Sequence, residues 1–301
     1  MNVINDMAAN PEKFVEESEK NYQSQLDDVA ETVIKGKKCS VILISGPSAS
    51  GKTTTAKKLS ATFLKKGVKA PVVSLDDFFL GKEKYQRLPD GSLDMESIST
   101  LDLDCFHDCV TTLLKEGECD FPIFDFQTSK RSKEVNHLTL GEHDILIMEG
   151  IHALNPILSK GLPEDKIVKI YVSVRTKFMN GEESVFEPKM IRLMRRMIRD
   201  KRERNHSPED TINMWNNIID GEKKYIDPYR DDVDIKIDTT LDYEPCIFHN
   251  YLYPILDDIS NSLKDYSDLN SIYYGLEMFN DIDEDMLPRQ SLLREFVGED
   301  K

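Results

Sequence analysis

The sequence predicts an α/β fold, a parallel sheet with helices on both faces, joined to a helical C-terminal segment. Three observations predict it. Short apolar runs at 41–44 and 145–148 are strand-sized and uninterrupted by polar residues, the mark of strands buried on both faces. They alternate with longer stretches of helical periodicity, as helical crossovers between parallel strands require. The first run leads straight into Gly46-Pro47-Ser48-Ala49-Ser50-Gly51-Lys52-Thr53, a glycine-bounded turn that opens a helix.

Between residues 11 and 38, Val15, Tyr22, Leu26, Val29 and Val33 recur at helical spacing, so 1–38 reads as a helical lead to a core over 39–240. The β-branched run 41–44 is the first strand and 52–66 a helix. A second strand, 71–75, ends in Asp76-Asp77. The polar, turn-rich stretch 81–99 reads as a long loop over the sheet edge. Then come a helix over 101–114, strands over 145–148 and 167–174, helices over 187–204 and 208–224, and a strand at 233–237. Residues 241–301 read as an acidic, mainly helical segment packed on the core. Cys105 and Cys109 share a helix face but no second ligand pair follows, so they are expected as packed thiols, and Trp215 as core.

Composition narrows the function. The 301 residues carry 39 basic and 55 acidic side chains, a formal charge of −16, which argues against a nucleic-acid or anionic-membrane binder. No apolar run approaches the ~20 residues of a membrane helix. No basic stretch followed by an apolar one opens the chain, and five scattered cysteines suit a reducing compartment, so a cytoplasmic protein is expected. Charge is unevenly placed. Residues 226–301 hold 19 acids and 6 bases, whereas 189–204 hold eight bases and two acids, a segment suited to an anion.

The segment Gly46 to Thr53 is a full GxxxxGK[ST] between strand and helix. Its glycines let backbone amides wrap a phosphate chain, the helix N-terminus favours negative charge, Lys52 reaches the terminal phosphates and Thr53 can ligate Mg²⁺. This defines a P-loop NTPase fold. No Asn-Lys-x-Asp segment exists to favour a GTPase. Asp76, Asp77 and Glu149 close strands whose C-terminal ends face the same crevice as the loop, where one carboxylate can accept a hydroxyl proton and another can hold Mg²⁺. Arg192, Arg195, Arg196 and Arg199 share one helix face. They could instead form a solvated face paired as Arg196/Asp200 and Arg199/Glu203 at i, i+4 spacing.

Five segments in order carry a resemblance: Gly46 to Thr53, Val73-Ser74-Leu75-Asp76-Asp77-Phe78-Phe79, Pro122-Ile123-Phe124-Asp125-Phe126, Met148-Glu149-Gly150-Ile151, and Arg192-Leu193-x-Arg195-Arg196-x-x-Arg199-Asp200. Over about residues 40–255 the chain resembles the uridine-kinase-like P-loop kinases of the phosphoribulokinase and uridine kinase group, and Ser291-Leu292-Leu293-Arg294-Glu295-Phe296-Val297-Gly298 looks like the end of bacterial members. The resemblance implies nucleoside-kinase-like architecture with a lid near 199–210, and transfer from ATP, with Mg²⁺, to a nucleoside 5′-hydroxyl, uridine or cytidine first. It implies Asp76, Lys52 and Arg199 as catalytic residues. Nucleotide would be held by Gly46, Ser48, Ala49, Ser50, Gly51, Lys52, Thr53, Thr54 and Arg204, and Mg²⁺ by Thr53, Glu149 and Asp76. Asp94, in Gly91-Ser92-Leu93-Asp94, matches the carboxylate that grips ribose, and Phe124, Asp125, Ser129 and Arg131 the acceptor side. Two positions depart. Where the family carries a Tyr and a His against the pyrimidine, this chain has Phe124 and Ser129. Another small alcohol, such as a sugar phosphate or pantothenate, and a regulator that binds nucleotide without turnover remain alternatives, and a homo-oligomer is left open.

Overall fold

A computed structural model of the chain describes residues 2–36, 39–87, 91, 93–259 and 263–298. Lys38 of the expected first helix, Ser92 of the loop segment before Asp94, and the last three residues of the expected C-terminal segment lie outside them.

Helices α1 (Asn2–Ala8) and α2 (Pro11–Gly36) open the chain. The latter buries Val15, Tyr22, Leu26, Val29 and Val33, the predicted stripe. Strand β1 (Val41–Ser45) is buried throughout and leads through the glycine-bounded turn into α3 (Lys52–Lys65). After β2 (Val72–Ser74), a single 3-10 turn over Leu75–Phe78 carries Asp76 and Asp77. Past the 81–99 loop come α4 (Leu103–Glu116), β3 (Glu118–Asp125) and β4 (Lys130–Thr139). The chain returns to the sheet with β5 (Leu146–Glu149), α5 (Pro156–Ser159) and β6 (Ile167–Ser173). Strands β7 (Phe178–Asn180) and β8 (Glu183–Phe186) precede α6 (Pro188–Arg204) and α7 (Pro208–Tyr225). Last come β9 (Ile235–Asp238), α8 (Glu244–Asp258), α9 (Ser267–Leu276) and α10 (Arg294–Val297).

The sheet has the order β2-β5-β1-β6-β9 with every neighbour parallel. Side chains alternate across it into two cores. Ile42, Ile44, Ile147, Ile170, Val172 and Ile237 face one core with α2, α3 and α6, while Val41, Leu43, Val73, Leu146 and Met148 face another with α4. Burial on both faces is why these strands are apolar at nearly every position. Register sets the site: Glu149 lies level with Ile44 and with Ser74, so the ends of β1, β2 and β5 open on one edge.

Two antiparallel hairpins, β3–β4 and β7–β8, were not expected from the sequence. Strand β4 has no buried residue and carries Lys130, Arg131, Lys133 and Glu134, so it lacks the apolar alternation that marks a half-buried strand. Strand β7 is three residues long, and Phe178 joins Phe186 and Phe279 in an aromatic cluster from distant parts of the chain. The acidic C-terminal stretch also contributes core: Cys246, Phe248, Leu252, Leu269, Leu292 and Phe296 are buried. The stretch expected as a lid is the last turn of α6, an Asn205 cap in the left-handed region, and the first turn of α7, closed by a Ser207/Asp210 capping box. Among the described residues no helix is long and apolar enough to cross a membrane.

Candidate active site

The turn after β1 has the conformation an anion cradle needs. Ala49 (φ 58°) and Gly51 (φ 84°) lie in the left-handed region, which turns successive amides toward a common point. Gly46 is required by space, since a Cβ there would stand 1.9 Å from the Val172 carbonyl oxygen.

Helix α6 braces this loop. Arg192 Nη1 donates to Ser48 O (3.0 Å), Arg195 Nη1 to Ala49 O (3.2 Å) and Arg196 Nη1 to Ser48 Oγ (2.8 Å). Two buried carboxylates hold these arginines in place. Glu222 takes Arg192 in a fork at 2.7 and 2.9 Å and also accepts the Ser48 amide at 2.9 Å. Glu244 takes Arg195 at 2.6 and 2.8 Å, both side chains fully buried. The expected basic face is therefore divided. Arg196 does pair with Asp200 (3.1 Å), but Arg199 faces Glu295 (3.9 Å) and not Glu203, and Arg192 and Arg195 are buried. Sequence reasoning missed Glu222 and Glu244. One signal was available for the first: Thr211, Trp215, Ile218 and Glu222 form a single helical stripe, and an acid on an apolar stripe needs a partner.

A cavity of about 300 Å³ opens above the loop, lined by Ser48, Ala49, Gly51, Lys52, Thr53, Asp76, Phe79, Met95, Glu96, Glu149, Gly150, Ile151, Arg199 and Glu295. A larger void of about 450 Å³ lies behind the loop against Pro47, Arg192 and Glu222, but Lys52, Thr53, Asp76 and Glu149 do not line it. Lys52 Nζ donates to Pro47 O at 3.2 Å, and Thr53 Oγ1 donates to Glu149 Oε1 at 3.2 Å. Burial pushes the Asp76 and Glu149 carboxyls above their ordinary range, while the Lys52 ammonium pulls both down. Glu96, also raised by burial, was not singled out in the sequence; it directly follows Asp94 and Met95. The hydroxyl of Thr53 and the Glu149 and Asp76 carboxylates are hard oxygen donors of the kind Mg²⁺ takes. Among the described residues no three His, Cys, Asp or Glu side chains form a metal cage.

The remaining expected residues fall elsewhere. Thr54 donates its amide (3.3 Å) and hydroxyl (2.6 Å) to Glu295 Oε2. Arg204 pairs with Asp200 at 2.8 Å on the last turn of α6, half-exposed and away from the cavity lining. Asp94 is nearly buried, accepts from Tyr225 Oη at 2.8 Å and faces Lys224 at 3.6 Å. Phe124 packs edge-on against Phe79 and Phe126, with its amide on Asp77 Oδ1 at 3.2 Å, so it backs the Phe79 wall without lining the cavity itself. Asp125 caps its own turn through the Gln127 and Thr128 amides, Ser129 sits in that turn at φ 53°, and Arg131 pairs with Asp102 at 3.1 Å. None of these three lines the cavity.

A five-stranded parallel sheet with a phosphate cradle after its central strand, a lysine on the loop and carboxylates at the neighbouring strand ends defines a P-loop NTPase fold. The family model described as Phosphoribulokinase / Uridine kinase family matches residues 41–243, and the chain belongs to that family. It is thus an ATP-using kinase with an alcohol acceptor. It is similar to a uridine kinase of Ureaplasma parvum serovar 3, 25% identical over 179 residues, which make up 60% of this chain and 77% of that one. A uridine kinase of Latilactobacillus sakei subsp. sakei is 26% identical over 206 residues, covering 64% and 85%. Among solved structures, a kinase assigned to a fructose transport system of Silicibacter sp. TM1040 superposes with a TM-score of 0.51 at 18% identity, over 70% of this chain and 98% of that one, a likeness of fold alone.

Proposed function

We propose that this kinase transfers the γ-phosphoryl group of ATP to the 5′-hydroxyl of a nucleoside, uridine or cytidine first. The observation that carries the reading is the charge of the acceptor side. Asp76, Glu96, Glu149 and Glu295 line the cavity with Lys52 and Arg199; Glu149 and Glu295 sit on Thr53 and Thr54 of the loop, which leaves Asp76 and Glu96 to face the acceptor. A neutral polyol fits beside these two carboxylates, whereas a sugar phosphate would meet repulsion there.

In this reading Asp76 accepts the proton of the attacking hydroxyl, and its burial brings its pKa closer to the working pH of a general base. Lys52 and Arg199 neutralise charge on the transferring group, and the loop amides orient the phosphate chain. Thr53 and Glu149, already in contact, would hold Mg²⁺, with Asp76 beside them; the ion when bound screens the phosphate oxygens. Asp94 would grip the ribose after giving up Tyr225 or sharing it.

One observation favours a second acceptor class, another small neutral alcohol. Phe124 offers a ring with no hydrogen bond for a base, and like Ser129 and Arg131 it stands off the cavity lining. The test is ADP release with and without a panel of ribonucleosides and small polyols. Release driven by uridine or cytidine is expected. Release driven by polyols alone shifts the acceptor class, and release with none of the panel would place the acceptor outside both classes.

A further inference from the structure

A carboxylate from the C-terminal tail sits on the phosphate loop. Glu295 Oε2 accepts both the amide and the hydroxyl of Thr54, the residue that follows Thr53 in the first turn of α3, and Glu295 Oε1 lies 3.9 Å from Arg199 Nη1. Amides at this point, at the N-terminus of the helix after a glycine-rich loop, are the ones that cradle the α- and β-phosphates of a nucleotide. The segment bearing Glu295 is firmly seated. Leu292 fills the space beside Gly51, where a Cβ would meet it at 2.7 Å, and Arg202 Nη1 donates to Phe296 O at 2.8 Å. The Arg195 guanidinium lies over the Phe296 ring at 5.1 Å. With the backbone seated and the Glu295 side chain 18% exposed, rotation of that side chain is the simplest way to clear the Thr54 donors.

We propose that Glu295 is a built-in competitor for the α-phosphate of the nucleotide. In the ligand-free protein its carboxylate holds the Thr54 donors, and nucleotide engages the fraction of molecules in which that side chain has turned away, which lowers apparent affinity by that fraction. The inference rests on reading the phosphate loop as the ATP site.

Calorimetric titration of ADP into the full chain, as wild type, Glu295→Gln and Glu295→Asp, at 0.1 and 0.5 M salt, tests it. Glu295→Gln should bind ADP about ten-fold more tightly than wild type, because the neutral amide is a poorer occupant of an anion cradle. The gain should persist at 0.5 M salt, where a merely long-range field would be screened. Glu295→Asp, whose shorter carboxylate reaches Thr54 less well, should tighten binding by a smaller factor, and it carries the test alone if the Gln variant does not fold. Equal or weaker ADP binding by the folded variants overturns the proposal, and weaker binding would make Glu295 a nucleotide ligand. A gain that vanishes at high salt overturns it too. Failure of wild type and both variants to bind ADP overturns the ATP-site reading itself, and the competitor with it.

Discussion

At the phosphate end of the cavity the loop is held by three arginines of α6, two of them locked by buried glutamates from α7 and α8. At the acceptor end the lining comes from the 81–99 loop and from an aromatic wall backed by the β3–β4 hairpin, where Arg131–Asp102 is a half-exposed pair. The contrast is one of constraint. Phosphate geometry is the same for every acceptor, so the cradle can be rigid and deeply anchored. Acceptors differ, and loops on a rigid scaffold are where such differences are accommodated.

Replacing Arg199 with Ala should have the largest effect, about 10³–10⁵ in kcat, because in the proposed reaction this cavity-lining guanidinium neutralises charge that spreads over the phosphoryl group during transfer. ATP affinity should change much less; equal losses in rate and affinity would make it part of the static cradle.

Asp76→Asn should lower kcat by about 10²–10⁴. It also probes the cost of burial. The Asp76 carboxyl is raised in the folded state, so its protonated form is favoured by folding: that stabilisation is complete below the unfolded value near ~4 and is lost as pH rises through the raised value. The ligand-free Asn variant should therefore melt higher than wild type at pH 7, with the gap closing toward pH 4. A wild type that is more stable at pH 7 would contradict the burial argument. In the same direction, the acid limb of kcat/KM should lie above the ordinary carboxylate range.

Stability separates the two ends directly. Arg195→Ala strands Glu244 in the core without its partner and should cost about 3–5 kcal/mol in denaturant unfolding. Arg131→Ala at the acceptor end should cost about 0–1 kcal/mol. Similar losses at the two sites would erase the contrast.

The smallest effect concerns the base. An apolar pocket discriminates by about 10–200-fold, against 10⁴ or more for one that hydrogen-bonds its substrate. With Phe124 in place of a phenol, kcat/KM for uridine, cytidine and a purine riboside should lie within that narrower span, and Phe124→Tyr should widen it. Strict selectivity for one base in the wild type would show that other residues read it.

The sequence by itself determined what neighbouring residues decide. The strand–loop–helix of 41–65 was legible because apolar runs, two glycines and a helix start act within a few residues of one another, and strand ends placed Asp76 and Glu149 beside Lys52 by topology alone. Only the tertiary structure decided what depends on distant partners. Glu222 meets Ser48 across 174 positions, and Glu295 reaches Thr54 across 241. No local pattern marks such a meeting, since an acid at one end of the chain carries no trace of the amide it will find at the other. The β3–β4 hairpin was hidden for a related reason: its outer strand buries no side chain, so backbone pairing and a partner strand, not periodicity, hold it in place.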